Sequence, residues 1–352
     1  MIADRVPDVN GLRLITSGLC TTIQDTGRTS FRHLGVPVGG AVDRTSLKLA
    51  NLLVGNEKNT AAMEMTLSGP QIEFTHDTVF ALTGARFSAE LVQSNGVRTA
   101  APGSRPVAVR AGCQLVTGTA VRGCRAYLAV AGGFRVPQVL GSCSTLLNSS
   151  LPDIASCRLA AGDFLPVISV EPSQRLSHGR LHRVLQRLRD QLEHSEFACP
   201  EWSVQISPLM PGCATLRFLP GPHFSRLCES SQRELCQAVF EVRAESDRMG
   251  CRLRGPVLEQ SSSDQIPSEA VMPGTLQLPA DGQILMLMAD CAPTGGYPQI
   301  GHVIQADWSR MSQLRPGDSV RFQISALTDA QEALAKEQRD LRRAITMAEL
   351  SV

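Results

Sequence analysis

The chain has 352 residues, of which 43% are apolar and 19% charged, and its 34 basic side chains nearly balance 33 acidic ones. Its length predicts about two domains of roughly 150 residues each, and its composition is that of a folded globular protein without the basic excess of a nucleic-acid-binding protein. No stretch reaches the roughly 18 apolar residues that a membrane-spanning helix needs, and no signal peptide is visible. The eleven cysteines are an odd number without a CxxC pair, which predicts reduced thiols and no metal site. Together these features predict a cytoplasmic protein that contacts no membrane.

Short runs of alternating apolar residues dominate the chain and are typical of β-strands. They predict strands, in chain order, at 71–74, 78–82, 105–109, 127–130, 214–218 and 319–324. Because these strands do not alternate with long helices, a mainly β fold of two barrels or sandwiches is favoured over a doubly wound sheet.

Helical spacing is confined to a few segments. The first helix is predicted over 43–53, with Asp43 as its N-cap and Gly55 as its terminator. Further helices are predicted at 181–192, 231–237 and 326–350. The last is highly charged, which predicts a solvated or oligomer-facing tail.

Two domains are predicted, with a boundary in the charged, weakly patterned segment 171–211. The N-terminal domain would span 1–205, with its helix at about 43–54, and the C-terminal domain 206–352, with the charged terminal helix. A short echo between LAAGDFLP (159–166) and LRPGDSVR (314–321) leaves an internal duplication open, since turns of this kind are common.

Several chemistries lack their motifs: the sequence contains no P-loop, no GxSxG, no HExxH and no biotin-attachment segment. Five polar clusters remain. The first is QDTGR (24–28), where Asp25 and Arg28 share a turn that could hold a carboxylate or an oxyanion; the alternative is a surface turn with a salt bridge.

The second cluster opens the first predicted helix. Gly39 and Gly40 precede Asp43, Ser46 and Asn51, and a glycine turn before a helix offers free backbone N–H groups to an anion. The alternative is that Asp43 only caps the helix.

The third cluster centres on Glu64, which lies in apolar company. A buried glutamate needs a partner, for which Arg28 or Arg44 is the natural candidate.

The fourth cluster places Ser246, Asp247 and Arg248 before a turn at Gly250. These residues predict a polar site; the alternative is a structural ion pair between Asp247 and Arg248 or Arg252.

The fifth cluster follows the apolar run 283–289 and begins at Asp290. Thr294, Gly295, Gly296 and Tyr297 predict a nest of converging backbone N–H groups for an oxyanion. The alternative is a tight turn with a packed tyrosine.

Taken together, these strings resemble the family called allophanate hydrolase subunit 2, or biotin-dependent carboxyltransferase-like proteins. The resemblance runs from about residue 19 to 325, and its carriers are IQDTGR (23–28), RHLGVPVGGAVDRTS (32–46), ANLLVGN (50–56), GCRAYLAVAGGF (123–134), VLGSCST (139–145), SDRMGCRL (246–253), SEAVMPGTLQLP (268–279) and PTGGYPQIGHVIQAD (293–307). Four positions depart from the family pattern: Val42 replaces a frequent Met, Ala292–Pro293 a Gln-Thr pair, and Cys143 a common Arg. Pro293 removes a backbone donor at the edge of the expected nest.

The resemblance implies two linked cyclophilin-like β-barrel domains with a few short helices. It also implies the C subunit of an ATP-dependent 5-oxoprolinase that cleaves 5-oxo-L-proline to L-glutamate, with a KipI-type B subunit, a LamB/YcsF-type A subunit, ATP and Mg²⁺, and no activity without them. Two alternatives stay open: a carboxyltransferase acting on urea or a related amide with a separate biotin carrier, and a KipA-type regulatory protein that antagonises a kinase inhibitor.

Opening a lactam would require oxyanion donors and a carboxylate that positions water. The hypothesis assigns the donors to Arg248 and to the nest at Gly295 and Gly296, with Arg28 also in the catalytic set. Candidates for positioning water or a metal ion are the four acidic residues Asp25, Asp43, Glu64 and Asp247.

Overall fold

The structure, a computed structural model, describes residues 9–147, 149, 151, 154–168, 180–204, 212–262 and 266–350. Within them the strands are β1 (Gly11–Thr16), β2 (Cys20–Gln24), β3 (Ala62–Thr66), β4 (Gln71–Phe74), β5 (Thr78–Phe87), β6 (Glu90–Val92), β7 (Arg98–Ala100), β8 (Pro106–Val109), β9 (Gln114–Val116), β10 (Ala120–Val130), β11 (Phe164–Pro166), β12 (Phe197–Ala198), β13 (Cys213–Pro220), β14 (Phe240–Val242), β15 (Gly250–Arg254), β16 (Glu269–Ala270), β17 (Thr275–Gln277), β18 (Leu285–Leu287), β19 (Thr294–Gly295), β20 (Gln299–Val303) and β21 (Ser319–Ile324). The helices are α1 (Arg44–Leu53), α2 (Arg180–Asp190), α3 (Glu229–Gln237), α4 (Trp308–Ser312) and α5 (Leu327–Leu350).

Strands β1 to β12, which we call the N-terminal half, form two six-stranded sheets in the orders β11-β1-β4-β9-β6-β7 and β12-β8-β5-β10-β3-β2. Alternation along the strands builds the core between them: in β4, Ile72 and Phe74 are buried and their neighbours are half-exposed. Phe74 stacks on Phe80 of the other sheet, with ring centroids 5.2 Å apart. The opposite face of the second sheet is covered by α1 and α2, so β5 and β10 are buried on both sides.

Strands β13 to β21, the C-terminal half, form a closed barrel in the order β13-β20-β17-β18-β15-β14-β21, and β16 and β19 make a separate two-stranded sheet. The barrel closes because β13 pairs parallel with β21 over six residues. The rings of Phe218, Phe240 and Phe322 fill its interior in edge-to-face contacts.

The mainly β prediction with barrel character and few helices is confirmed. The predicted strands and the helices near 43–53, 181–192 and 231–237 are present, whereas the short α4 was not predicted. The proposed domain boundary at 205/206 lies outside the described residues and stays a prediction. Among the described residues, no helix has the length and apolarity needed to cross a bilayer.

The prediction for the last helix is partly wrong, because α5 does not extend into solvent along its whole length. Its residues Leu341, Ala344 and Ala348 join the apolar cluster formed with α1 and α2, and Thr45 donates a hydrogen bond to Glu337 at 2.6 Å. The high charge reflects only its outer face, which a composition count does not separate from the packed face.

Candidate functional site

Arg248 is the centre of a buried ion network where the barrel meets the N-terminal sheets. Its side chain is only 5% exposed. Its Nε and Nη2 donate to the two carboxylate oxygens of Asp290 at 2.9 and 2.8 Å. Nη1 donates to Glu64, and Nη2 also donates to the carbonyl of Gly40 at 2.7 Å. One guanidinium from the barrel therefore pairs with two buried carboxylates, one from each half, and its contact with Asp290 has the bidentate geometry that arginine favours.

Glu64 reaches this network from β3, where it lies directly opposite Tyr127 of β10. The Tyr127 hydroxyl donates to Glu64 Oε2 at 2.6 Å, and the backbone N–H of Val42 donates to the same oxygen at 3.1 Å. Burial acts to raise the pKa of Glu64, but Arg248, Arg125 and these two hydrogen bonds outweigh it and hold the pKa below its ordinary value of 4.5. Glu64 is therefore ionised in the folded protein.

Because the pKa of Glu64 is lower in the folded chain, its ionised form stabilises the fold above about pH 4.5, and this contribution is lost as the pH falls through the folded pKa. We expect the difference in unfolding free energy between the wild type and Glu64→Gln to be largest at neutral pH and to shrink below pH 4.5. Denaturant titrations from pH 7 down to pH 3 measure it. A difference that grows on acidification would contradict the assignment.

Asp43 joins the two halves as well as capping α1. Its carboxylate accepts hydrogen bonds from the backbone N–H of Ser46 at 3.0 Å and from the Ser46 hydroxyl at 2.7 Å. Two side chains of the C-terminal half donate to it as well: Ser309 Oγ at 2.9 Å and Gln313 Nε2 at 2.8 Å. The capping alternative is therefore correct, and the helix cap is at the same time a contact with α4.

Gln313 makes four hydrogen bonds across the same contact between the N-terminal and C-terminal halves, which we call the junction. Its Oε1 accepts from the backbone N–H groups of Cys124 and Arg125 at 2.9 and 3.1 Å, and its Nε2 donates to Arg125 O at 2.9 Å besides Asp43. We expect Gln313→Ala to lower the free energy of unfolding by about 1–3 kcal/mol, because it leaves the hydrogen-bonding groups of its partners unpaired in a half-buried junction. Thermal unfolding of this variant is compared with that of Gln323→Ala, which changes an exposed glutamine of β21. Equal losses of stability in the two variants would contradict the prediction.

Asp25 is saturated by hydrogen bonds from its surroundings. Its Oδ1 accepts from Gly27 N–H at 2.7 Å and from the hydroxyls of Ser142 and Ser144, both at 2.6 Å. Its Oδ2 accepts from Cys143 N–H at 2.7 Å. Such a carboxylate holds the 25–28 turn against the 142–144 segment. The alternative of a surface turn is therefore wrong.

Arg28 extends from the same turn and is 2% exposed. Its Nε donates to Val139 O at 3.2 Å and its Nη2 to Ser144 O at 2.6 Å. Burial lowers the pKa of Arg28, against the opposing effect of Asp25 and Asp290. Nη1 has no hydrogen-bond partner in the described part of the protein, so a buried cationic donor is left for another group.

Gly39 and Gly40 both adopt left-handed backbone, with φ of 63° and 83°. The N–H of Gly39 donates to Ala289 O at 3.1 Å, so it is not free for an anion as predicted. The remaining members of this cluster are internal: Ser46 binds the Asp43 cap, and Asn51 donates to Leu47 O and Thr60 O.

Asp247 and Ser246 shape the turn before β15. Asp247 is exposed, and its Oδ1 accepts from the N–H groups of Met249 and Gly250 at 2.8 and 3.0 Å. Ser246 Oγ accepts from Arg252 N–H at 3.0 Å. The alternative, an ion pair of Asp247 with Arg248 or Arg252, is not formed. The expected partner of Glu64, Arg28 or Arg44, is also wrong, because Glu64 pairs with Arg248.

The expected nest at 294–297 is not formed. Thr294 and Gly295 lie in β19, paired with β16. A nest needs alternating right-handed and left-handed backbone, and neither Gly295 nor Gly296 is left-handed. Tyr297 is 49% exposed, so the alternative of a packed tyrosine is also wrong. Strand pairing with 269–270, which local sequence did not indicate, straightens the segment.

Several junction residues were missed: Asp290, Arg125 and Tyr127, with Ser142, Ser144 and Gln313. A signal existed for the first, since Asp290 directly follows the apolar run 283–289. Arg125 and Tyr127 stand among apolar residues of β10, which is unusual for a charged and a hydroxyl side chain without partners.

The buried charges of the junction carry no positive excess. Among the described residues, Arg28, Arg125 and Arg248 face four carboxylates, Asp25, Asp43, Glu64 and Asp290, and Arg248 donates to protein acceptors from each nitrogen. This arrangement suits a neutral polar group better than a phosphate. No cluster of three His, Cys, Asp or Glu side chains that could hold a metal ion occurs among the described residues.

Comparison with known proteins finds relatives that match nearly the whole chain. The chain is 36% identical to the 5-oxoprolinase C subunit of Escherichia coli strain K12, over 93% of this chain and 96% of that protein. It is 33% identical to the 5-oxoprolinase C subunit of Haemophilus influenzae, over 90% and 92%. These relatives agree with the predicted assignment to a 5-oxoprolinase component.

A more distant likeness extends to urea amidolyase. The crystal structure of the K. lactis enzyme superposes with a TM-score of 0.81 at 25% identity, covering 97% of this chain but only 20% of that one. The model of the family described as carboxyltransferase domain, subdomain A and B, matches residues 34–324. With this match and the relatives of similar length, the chain belongs to the carboxyltransferase domain family, subdomains A and B.

Proposed function

We propose that the chain is the C subunit of an ATP-dependent 5-oxoprolinase, which cleaves 5-oxo-L-proline to L-glutamate. The observation that carries the proposal is the match along nearly the full length of two proteins named as the C subunit of 5-oxoprolinase. A name of this kind implies an assembly, and we assign the other parts to a KipI-type B subunit and a LamB/YcsF-type A subunit in the cytoplasm.

The chemistry explains why ATP would be consumed. Amide resonance makes the lactam carbonyl a poor electrophile, so its oxygen would be phosphorylated by ATP, supplied with Mg²⁺ as a co-substrate. Water would then add to the activated carbon, the C–N bond would break with protonation of nitrogen, and glutamate, ADP and phosphate would leave.

The junction geometry supports a substrate-holding role for this chain in that reaction. Asp25, Asp43 and Glu64 are held by protein partners, which makes them supports of the site rather than water-activating bases. Arg248 is likewise committed to protein acceptors and is a support rather than an oxyanion donor. Arg28, in contrast, has a terminal nitrogen, Nη1, without a hydrogen-bond partner among the described residues, and this nitrogen can donate to a ligand. The charge balance disfavours this junction as the phosphate site, so ATP would bind through the partner subunits.

The test is reconstitution with both proposed partners and measurement of glutamate release from 5-oxo-L-proline. We expect release that requires ATP, Mg²⁺ and all three chains. Absence of release from an intact, correctly assembled complex would refute the proposal.

A second candidate is a carboxyltransferase acting on urea or a related amide, favoured by 31% identity to the Saccharomyces cerevisiae urea amidolyase over 88% of this chain. The chain spans 16% of that enzyme. Avidin-sensitive carboxylation of urea with a separate biotin carrier would support it. An assembled complex with neither activity would leave the KipA-type regulatory role.

A further inference from the structure

The backbone at Gly39 is flanked by a donor that has no hydrogen-bond partner among the described residues and by a charged acceptor. A carbon at the Cβ position of residue 39 would lie 3.8 Å from Arg28 Nη1 and 3.7 Å from Asp290 Oδ1, both in ordinary contact. Arg28 and Asp290 are 2% and 4% exposed. A donor and an acceptor therefore border the same small volume, with the missing side chain of Gly39 between them.

The two groups differ in what they still offer. Arg28 Nη1 has no hydrogen-bond partner in the described protein. Asp290 Oδ1 accepts one hydrogen bond, from Arg248 Nη2 at 2.8 Å, and a carboxylate oxygen can accept a second. The pair thus presents an N–H donor beside an oxygen acceptor, the complement of an amide's C=O and N–H.

The surroundings decide between a neutral and an anionic ligand. Asp290 and Glu64 are both bound by Arg248, and Asp25 lies beside Arg28. An added carboxylate or phosphate would meet the negative charge of Asp290 Oδ1 at close range, which is unfavourable in a buried site.

We propose that Arg28 Nη1 and Asp290 Oδ1 form a subsite for a neutral amide over Gly39, the C=O accepting from Arg28 and the N–H donating to Asp290. This inference rests on the proposed function in taking the amide to be the lactam of 5-oxo-L-proline, whose α-carboxylate would have to point away from Asp290 and stay outside the subsite. The subsite is covered in this structure, so binding requires separation of the 38–40 and 289–290 segments, which are joined by the hydrogen bond from Gly39 N–H to Ala289 O at 3.1 Å.

The subsite is tested by measuring the binding of small lactams to the full chain with saturation-transfer NMR and calorimetry. The probes are 2-pyrrolidinone, which has both amide groups, and N-methyl-2-pyrrolidinone, which lacks the N–H. We expect 2-pyrrolidinone to bind about tenfold or more tightly than its N-methyl analogue, since a hydrogen bond to a charged group is lost. Equal affinities, or no binding of either, would overturn the proposal without any variant.

The matched variants are Gly39→Ala and Gly35→Ala. Both place alanine in left-handed backbone, with φ of 63° and 81°, but only the methyl group at 39 would enter the subsite, because nothing lies within 4 Å at 35. We expect Gly39→Ala to abolish binding and Gly35→Ala to preserve it; unchanged binding by Gly39→Ala would overturn the proposal.

The reconstituted complex separates this inference from the proposed function. ATP-dependent glutamate release that is unchanged in Gly39→Ala would refute the subsite and leave the function standing. Lactam binding that depends on residue 39, in a complex that releases no glutamate, would refute the function and leave the subsite standing.

Discussion

Replacing Arg248 with methionine is expected to lower the free energy of unfolding by about 3–5 kcal/mol, among the largest effects of any single substitution in this protein. The cause is the state in which the variant leaves its partners. Glu64 and Asp290 are 1% and 4% exposed, and both lose the guanidinium that neutralises them. A buried carboxylate without a partner must either stay charged at high cost or take up a proton.

The matched control is Arg252→Met, which removes an exposed arginine from the same strand, β15. A surface change of this kind should alter stability by about 0.5 kcal/mol or less. Denaturant unfolding of both variants makes the comparison, and adding Asp290→Asn to Arg248→Met should recover part of the loss. Similar losses for the two single variants would contradict the central place of Arg248.

Gly40→Ala is expected to destabilise the protein by about 2–5 kcal/mol, which combines left-handed backbone strain with overpacking. Gly40 has φ of 83°, and an added Cβ would lie 2.7 Å from the nitrogen of Gly27 and 2.8 Å from the carbonyl carbon of Thr26. Backbone atoms cannot rotate away as a side chain can, so the two turns would have to separate. That separation would also displace Gly40 O, which accepts from Arg248.

The neighbouring glycine provides the control. Gly39→Ala has the same left-handed strain, but its Cβ would meet its nearest neighbours at 3.7–3.8 Å, so a loss of only about 1–2 kcal/mol is expected. Thermal melts of the two variants compare them directly. A loss in Gly39→Ala as large as that in Gly40→Ala would show that backbone strain, and not the close approach to residues 26–27, requires glycine here.

Features that depend on neighbours in the chain were predictable. Alternation identified β4 and β21, because one face of each strand is buried and successive side chains point to opposite faces. Asp43 was recognised as the cap of α1 because a cap bonds to a backbone N–H only three residues away.

The interactions of the junction were not predictable in the same way. The polar residues at 25, 28, 64 and 248 were singled out from the sequence and are buried in the structure, yet Arg28 or Arg44 was expected as the partner of Glu64. The true partner, Arg248, is 184 residues away and reaches Glu64 only because the barrel is seated against β3 and β10. The glycine nest failed for a related reason, since pairing with β16 overrode the local turn preference of Gly295 and Gly296.

The amino-acid sequence by itself determined several of the strands, the cap of α1 and part of the set of polar residues from which the junction is built, because these depend on local periodicity and on residue type; its motifs indicated the family. The tertiary structure alone decided which charges neutralise one another, that Asp25 and Asp43 are saturated, and that one nitrogen of Arg28, near Asp290, has no hydrogen-bond partner in the described part of the chain. The physical reason is that burial, and with it the strength of an ion pair or the cost of an unpaired donor, depends on how distant segments pack together.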